Sequence, residues 1–347
     1  MASKFFVGTN AGKVYSGSWN GKELSIAHAV NAGKTPSWVS VDEGKKKLYV
    51  ADESSPGNGC LLTYEIAADA ISLKQTKSQS TGFAGPCHVA LAEKEGLALV
   101  ANYSGGGFSV LSIGEAGSDP LQKIDMSRQS PSNPAPVLGP NKGRQEMPHP
   151  HMMLVRNNIV YGCDLGQDRI FLWEIKGKSL VSLANATVHT KPGSGPRHMV
   201  FHPSHSVAYV ANELDCTVAW YDIAAGGSLK EHSSTSTLTA EATFEGTTVA
   251  EIIISSDGKN LYVTNRGGSD TIAHFRIDSK GHPTDLKLYD TKGKVPRHIA
   301  FDPQEKCVIV SNQQSDRLDA FKKLEDGSLE WASTVQVSKP TCVAFLD

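Results

Sequence analysis

The chain has 347 residues, of which 39% are hydrophobic, and a formal net charge of −2. Its charged residues are scattered without a basic stripe, so we expect no nucleic-acid partner. The mean hydropathy is −0.27, and no apolar run approaches the roughly 18 residues that a membrane helix needs, so we expect no membrane partner.

The N-terminal stretch MASKFFVGTN contains an apolar run that is too short for a secretory signal. The six cysteines are widely spaced and form no CxxC pair. This spacing argues against both a zinc site and a disulfide framework. We therefore expect buried, reduced thiols in a cytoplasmic protein, without a metal or another cofactor.

In chain order, the predicted strands begin with FFVGTN, KVYSGSW and ELSIAHA, and a repeating unit follows. Each unit opens with a proline and, three residues later, an apolar residue. The openings are PSWV at 36, PCHV at 86, PHMM at 150, PRHM at 196, VAEI at 249 (without its proline), PRHI at 296 and PTCV at 340. Two further apolar runs follow most openings, separated by Gly, Asn, Asp and Ser, which is typical of strands joined by turns.

A unit of four strands that recurs at intervals in the forties is typical of a β-propeller blade. We predict an all-β fold with seven blades in a single domain over residues 1–347. The chain ends with PTCVAFLD, which is one inner strand, so the three N-terminal strands must complete the seventh blade. A loop rich in Pro, Ser and Asn, at about 128–147, interrupts the repeat and is expected on the mouth side.

The topology predicts a polar opening at one end of the central channel. If a blade's strands are lettered A to D from the inside, strand A begins and strand B ends at the same face. Charged and histidine residues recur at these positions in separate blades. They are His88, His151, Arg197, His198, Glu213, Arg266, Arg297 and His298. The recurring histidines could equally serve blade packing, and Glu213 with Arg266 could be a purely structural ion pair.

Arginines that face a cleft suit a carboxylate or phosphate, and histidines and carboxylates can move protons near neutral pH. The chain has no GxSxG, HExxH or EF-hand motif, so covalent and metal-assisted mechanisms have no support in the sequence. The remaining chemistry is acid–base catalysis on a small anionic substrate, with arginine stabilising an oxyanion.

Five runs, VLGPNKGRQEMPHPHMM, GCDLGQDRIFLWEI, GPRHMVFHP, ANEL and TNRGG, resemble signature runs of the seven-bladed lactonase family. That family contains bacterial-type 6-phosphogluconolactonases and fungal carboxy-cis,cis-muconate cyclases. The resemblance implies functional roles for His151, Arg197, Glu213 and Arg266. The chain departs from the family pattern in its short N-terminal turn and in VAEI, which lacks the proline–arginine opening.

The first hypothesis is a lactone hydrolase acting on a phosphorylated sugar lactone. Arg197 and Arg297 would hold the anion, Glu213 or His151 would activate water, and Arg266 would meet the oxyanion. Three further histidines are expected to contact the substrate, namely His88, His198 and His298. The alternatives are a muconate cyclase, which is an intramolecular lyase, and a non-enzymatic binding scaffold. The sequence leaves open the exact lactone, the choice of base, the role of the loop and the oligomeric state.

Overall fold

The computed structural model describes residues 2–42, 44, 46–53, 57–114, 117–128 and 136–346. Seven antiparallel sheets make up this part of the chain, and the N-terminal strands precede the first complete blade. These strands are β1 (Ser3–Thr9), β2 (Lys13–Trp19) and β3 (Leu24–Asn31). Blades 1 to 3 follow in chain order. Their strands are β4 (Pro36–Asp42), β5 (Lys47–Asp52), β6 (Cys60–Ile66), β7 (Leu73–Ser80), β8 (Pro86–Ala92), β9 (Leu97–Asn102), β10 (Gly107–Ser112), β11 (Gln122–Asp125), β12 (Pro150–Arg156), β13 (Ile159–Asp164), β14 (Arg169–Lys176), β15 (Ser179–Ser182) and β16 (Val188–His189).

Blades 4 to 6 repeat the same order, and one last strand ends the described chain. These strands are β17 (Pro196–Phe201), β18 (Val207–Asn212), β19 (Thr217–Ile223), β20 (Leu229–Ser236), β21 (Thr247–Ile254), β22 (Asn260–Gly267), β23 (Thr271–Ile277), β24 (Pro283–Asp290), β25 (Pro296–Phe301), β26 (Cys307–Asn312), β27 (Arg317–Lys323), β28 (Leu329–Gln336) and β29 (Pro340–Leu346). Short 3-10 turns lie at Ala184–Ala186, Ala225–Gly227 and Gln313–Ser315. No helix in the described ranges is long and apolar enough to cross a membrane.

The ring closes as the sequence predicts. The seventh sheet has the order β29-β1-β2-β3, and β1 pairs antiparallel with β29 through Phe5 opposite Phe345 and Val7 opposite Val343. The innermost strands contact their neighbours in cyclic order, from β4 through β8, β12, β17, β21 and β25 to β29 and back to β4. The seven-bladed propeller prediction is confirmed.

An apolar cluster fills the interface between each pair of neighbouring blades. Between blades 2 and 3, for example, the rings of Phe108 and Trp173 meet edge to face with centroids 5.1 Å apart. Strands covered on both faces read as continuous apolar runs rather than alternating ones. This explains why every residue of β9 is buried, whereas most of the outer strand β20 is exposed.

An aspartate just before strand C connects several blades to the next one. Asp168 accepts the backbone N–H of Gly195 at 2.8 Å, Asp270 that of Val295 at 2.8 Å, and Asp316 that of Lys339 at 2.7 Å. Each of these amides immediately precedes the proline that opens the next inner strand. The turn aspartates therefore hold the beginnings of the inner strands in place.

A β-bulge recurs directly after the opening proline. In blade 4 the pairing passes from Pro196 opposite Asn212 to His198 opposite Ala211, which leaves Arg197 as the extra residue. The same shift occurs in four other blades. A bulge redirects side chains locally. Consecutive residues therefore both reach the centre: Arg197 contacts Glu213 and His198 contacts Glu251.

Candidate active site

A polar pocket of about 220 Å³ lies at the predicted mouth of the channel. Side chains from different blades and from the loop before β12 line it. They are Glu53, Tyr103, Arg144, His151, Glu213, Arg266 and Arg297. A larger cavity of about 480 Å³ lies near Arg156, but its lining has neither a carboxylate nor a histidine. The mouth pocket thus concentrates the ionisable groups that the sequence singles out.

Glu213 is the centre of this pocket. It follows β18 directly, its side chain is 1% exposed, and its Oε1 lies 2.5 Å from Nη2 of Arg144 and 3.1 Å from Nη2 of Arg266. Nε of Arg197 lies 3.0 Å from the other oxygen, Oε2. One buried carboxylate therefore contacts three guanidinium groups.

Each arginine around Glu213 has a second contact that limits its movement. Nη1 of Arg197 donates to the carbonyl oxygen of Ala250 at 2.5 Å, and Nε of Arg266 donates to Oγ1 of Thr248 at 3.3 Å. Nη2 of Arg144 also lies 3.4 Å from the hydroxyl of Tyr103. The cluster is thus held from several directions.

The charges in this cluster shift each other's pKa. Burial alone would raise the pKa of Glu213, but Arg266, Arg197 and Arg144 outweigh it and lower that pKa to about 2. Burial, together with the positive charge of Arg266, lowers the pKa of Arg197 to about 9. At neutral pH Glu213 is therefore a carboxylate with little basicity, and Arg197 stays charged.

Arg297 differs from the other arginines of the mouth. It lines the same pocket and is half-buried. Within the described ranges, no hydrogen bond or ion pair engages its guanidinium group. The pocket therefore offers a cation that is available to a ligand.

The histidines lie at two depths. His151 lines the pocket, whereas the other three form a buried layer against Trp38. The ring centroids of His88, His198 and His298 lie 4.2, 5.6 and 5.3 Å from that of Trp38. Burial lowers the pKa of all four histidines, so they are neutral at physiological pH.

The structure therefore separates the predicted site residues into two sets. His151, Glu213, Arg266 and Arg297 line the pocket. Arg197 is only 2% exposed and lies behind Glu213. His88, His198 and His298 lie deeper and are outside the pocket lining, because the bulges direct them into the channel rather than to its mouth.

Three lining residues were not among the predicted site residues. Glu53 and Tyr103 each follow a B strand, as Glu213 does, so the repeat alignment carries a signal for them. Arg144 belongs to the inserted loop, where the repeat gives no position. Only the GRQ run within the family-like stretch points to it.

The end of the inserted loop is anchored over the mouth by the turn after β13. The backbone N–H of Gly139 donates to the carbonyl oxygen of Gly166 at 2.9 Å, and the side-chain Nε2 of Gln145 donates to the carbonyl oxygen of Leu165 at 2.8 Å. These bonds place the neighbouring Arg144 against Glu213. Residues 129–135 of the predicted 128–147 loop lie outside the described residues.

No group of three or more His, Cys, Asp or Glu side chains in the described part of the chain is arranged to hold a metal ion. All six cysteines are free thiols, and all except the half-buried Cys60 are buried. The described lining of the pocket consists of arginine, histidine, tyrosine and carboxylate side chains.

The fold and the site together define a seven-bladed propeller with a cationic pocket at one channel mouth. The family model described as "Lactonase, 7-bladed beta-propeller" matches residues 4–345, so the chain belongs to this family. This confirms the resemblance seen in the sequence runs.

Individual relatives match over nearly the whole chain. A 6-phosphogluconolactonase of Bacillus subtilis (strain 168) is 30% identical over 344 residues, which cover 96% of this chain and 94% of the relative. A 6-phosphogluconolactonase of Formosa agariphila is 29% identical over 317 residues, covering 89% of this chain and 87% of the relative. A crystal structure of a protein from Lactobacillus plantarum superposes with a TM-score of 0.90 at 25% identity and covers 100% of both chains.

Proposed function

We propose that this protein is a lactone hydrolase that acts on a phosphorylated sugar lactone, as the names of its relatives from Bacillus subtilis and Formosa agariphila state for those proteins. One observation carries the proposal: a single small pocket combines a neutral histidine with an excess of guanidinium groups over carboxylates. The volume of about 220 Å³ is below the roughly 300–1,000 Å³ of sites for drug-sized ligands. A small anion is the matching substrate.

Arg297, whose guanidinium has no bond partner in the described ranges, is the first group available to the substrate phosphate, and Arg144 lines the same pocket from the inserted loop. Arginine suits this task because its planar fork binds phosphate oxygens in pairs. Arg266, held by Glu213 and Thr248, is assigned to the carbonyl oxygen of the lactone. Arg197 is engaged with Glu213 and Ala250, so in this proposal it positions the carboxylate instead of holding the anion.

His151 is assigned as the general base. Glu213, the other candidate, has both carboxylate oxygens engaged by arginines, which also lower its pKa to about 2. His151 is preferred because its Nδ1 bonds to His198, and no bond in the described ranges engages its Nε2. A neutral His151 takes a proton from water as the water oxygen attacks the lactone carbonyl carbon. The resulting oxyanion is stabilised by Arg266. The ring C–O bond then breaks and the leaving oxygen receives the proton from His151, which gives the open-chain carboxylic acid. This acid releases its remaining proton to solvent, and the product is the carboxylate.

A substrate panel tests the proposal. Purified protein should accelerate the loss of 6-phosphogluconolactone well above its spontaneous rate, and should act less efficiently on unphosphorylated gluconolactone. The assay belongs at or slightly below neutral pH, where spontaneous hydrolysis by hydroxide is slower. A protein that leaves every lactone at its spontaneous rate but cyclises 3-carboxy-cis,cis-muconate would instead be a cyclase. Inactivity on all of these would favour the binding scaffold.

Arg297→Ala should reduce the preference for the phosphorylated lactone. A hydrogen bond to a charged group contributes about 1.5–3 kcal/mol, so kcat/KM for 6-phosphogluconolactone should fall roughly 10- to 150-fold. The value for gluconolactone should change much less. Steady-state kinetics on both substrates give the comparison. Arg297→Lys, which keeps the charge but not the fork, should lie between wild type and the alanine variant. An equal loss on both lactones would contradict the phosphate role.

Arg144→Ala should raise the KM for 6-phosphogluconolactone by about tenfold, the equivalent of about 1.4 kcal/mol. Its side chain is 36% exposed, so we expect only a small change in the thermal midpoint. Lys142→Ala, two residues earlier on the same loop and exposed, is the matched control for removing one cation from this region. A similar rise in KM for Lys142→Ala would indicate general charge attraction rather than a specific contact of Arg144.

A further inference from the structure

A row of three side chains crosses blades 5, 4 and 3 beneath the pocket. Oε1 of Glu251 lies 2.7 Å from Nδ1 of His198, and Nε2 of His198 lies 3.1 Å from Nδ1 of His151. Glu251 is 5% exposed and His198 is 0% exposed. The row therefore runs from a buried carboxylate to His151, which lines the pocket.

The hydrogen bonds determine which ring nitrogen carries each proton. Oε1 of Glu251 also accepts the backbone N–H of Ile252 at 3.1 Å, so this oxygen acts as an acceptor and Nδ1 of His198 donates to it. Nε2 of neutral His198 is then an acceptor, and Nδ1 of His151 must donate to it. Nε2 of His151 is left with a free lone pair, and nothing in the described ranges bonds to it.

A neighbouring thiol does not compete effectively for His151. Sγ of Cys87 lies 3.9 Å from Nδ1 of His151. The same sulfur lies closer to three backbone carbonyls, those of Ala101, Pro150 and His151, at 3.5–3.7 Å. The thiol hydrogen therefore has nearer acceptors, and His198 remains the partner of the His151 ring.

We propose that Glu251 and His198 are positioning residues that hold His151 with its bare Nε2 facing the pocket. The inference rests on the proposed function in one respect, namely that His151 is the base. In catalytic triads a carboxylate sets the tautomer of the catalytic histidine by bonding to it directly. Here Glu251 sets the tautomer of His151 indirectly, through the ring of His198. It also explains a departure from the repeat: blade 5 lacks the proline–arginine opening and supplies a buried carboxylate at this level of the channel instead.

A buried carboxylate needs compensation, because removing a charge from water is costly unless it is paired and hydrogen-bonded. Glu251 has the Ile252 amide, His198 and, at 3.5 Å from Oε2, Nε2 of His298. The other titratable or charged groups around the row come from every neighbouring blade. They are His88, Cys87, Tyr103, Arg197, Glu213, Arg266, Arg297 and Cys342.

The tautomers of His151 and His198 can be measured by NMR spectroscopy without any substrate. Two-bond proton–nitrogen correlation spectra of protein labelled with nitrogen-15 histidine report the tautomer of each ring, and His151→Asn and His198→Asn spectra assign the two signals. Wild type should show both rings neutral, with the proton on Nδ1. In Glu251→Ala this single tautomer should be lost at both rings. A wild-type His151 with its proton on Nε2 would overturn the proposal, whatever the activity.

Kinetics on 6-phosphogluconolactone supply the second readout. Glu251→Ala should lower kcat by about 10–100-fold, the loss seen when the carboxylate that orients a metal-bound histidine is removed, while KM changes little. Without the negative charge the protonated His151–His198 pair is less stable, so the acidic limb of the pH–rate profile should move to lower pH. Glu251→Gln keeps an acceptor oxygen and should lose less of kcat than the alanine variant.

Cys342→Ala is the matched control. Its thiol lies in the same buried layer, 3.7 Å from Nε2 of His298, but it touches neither ring of the row. This variant should keep the wild-type pH–rate profile even if its thermal midpoint falls.

If Glu251→Ala does not fold, the kinetics of Glu251→Gln and the tautomers of the wild-type rings decide whether the proposal holds. A folded Glu251 variant with wild-type kcat and pH profile would overturn the proposal. Wild type that is inactive on lactones but shows the predicted tautomers would overturn the proposed function alone.

Discussion

Replacing His151 with asparagine is expected to lower kcat for 6-phosphogluconolactone by about 10²–10⁴-fold, the usual contribution of a general base. Asparagine keeps a polar group of similar size but cannot take a proton from water. Because burial lowers the pKa of His151 well below its usual range, the wild-type ring is already neutral at pH 6.5. The wild-type rate should therefore stay level through neutral pH and decline only at acidic pH, where His151 becomes protonated.

His149→Asn is the matched control for this prediction. It lies two residues away in the same PHPHM run, and its ring nitrogens contact the carbonyl of Tyr103 and the carboxylate of Glu146 rather than the pocket. It should keep a kcat close to that of wild type. If both variants were equally active, or if His151→Asn kept the wild-type rate, His151 would not be the base.

Replacing Glu213 with alanine is expected to destabilise the protein by about 3–5 kcal/mol, since breaking a buried ion pair leaves uncompensated buried charge. Here the unpaired charges are Arg197, which is 2% exposed, and Arg266, which is 13% exposed. Activity should fall as well, because Arg266 loses the contact that aims it at the carbonyl oxygen. Urea unfolding at neutral pH and lactone kinetics measure the two effects.

The pH dependence of this stability has a definite sign. The pKa of Glu213 falls from its ordinary 4.5 to about 2 on folding, and each unit corresponds to about 1.4 kcal/mol. The carboxylate therefore contributes about 3 kcal/mol that is fully present above about pH 5 and is lost as the pH falls toward about 2. Glu213→Gln has similar volume but no titration. On acidification the free energy of unfolding of wild type should approach that of Glu213→Gln. If the two free energies of unfolding changed in parallel with pH, the lowered pKa of Glu213 would be contradicted.

The repeat in the sequence was sufficient to predict the seven-bladed architecture, because each blade has the same succession of short apolar runs and turns. It also predicted that Glu213 and Arg266 would meet, since the ends of B strands share one face of a propeller. The repeat did not predict how deep in the channel each side chain lies. The bulge that leaves Arg197 unpaired with β18 depends on hydrogen-bond register, and it brings two consecutive residues to the centre where strict alternation would separate them.

The position of Arg144 was also not predictable from the sequence. It comes from the insertion, so no repeat position assigns it to a face, and its contact with Glu213 depends on bonds between the loop and the turn after β13. The row of Glu251, His198 and His151 is a third feature that the sequence did not predict. Sequence periodicity places Glu251, His198 and His298 at one level of the channel, but only the distances between their side-chain atoms distinguish a directed row of hydrogen bonds from packing.

A crystal structure with the product, 6-phosphogluconate, would show whether the mouth pocket is the substrate site. We expect the ligand to occupy the mouth pocket, with its phosphate within hydrogen-bond distance of Arg297 and its carboxylate between Arg266 and Nε2 of His151. A product molecule bound elsewhere, for example in the cavity near Arg156, with the mouth arginines still facing water, would contradict it.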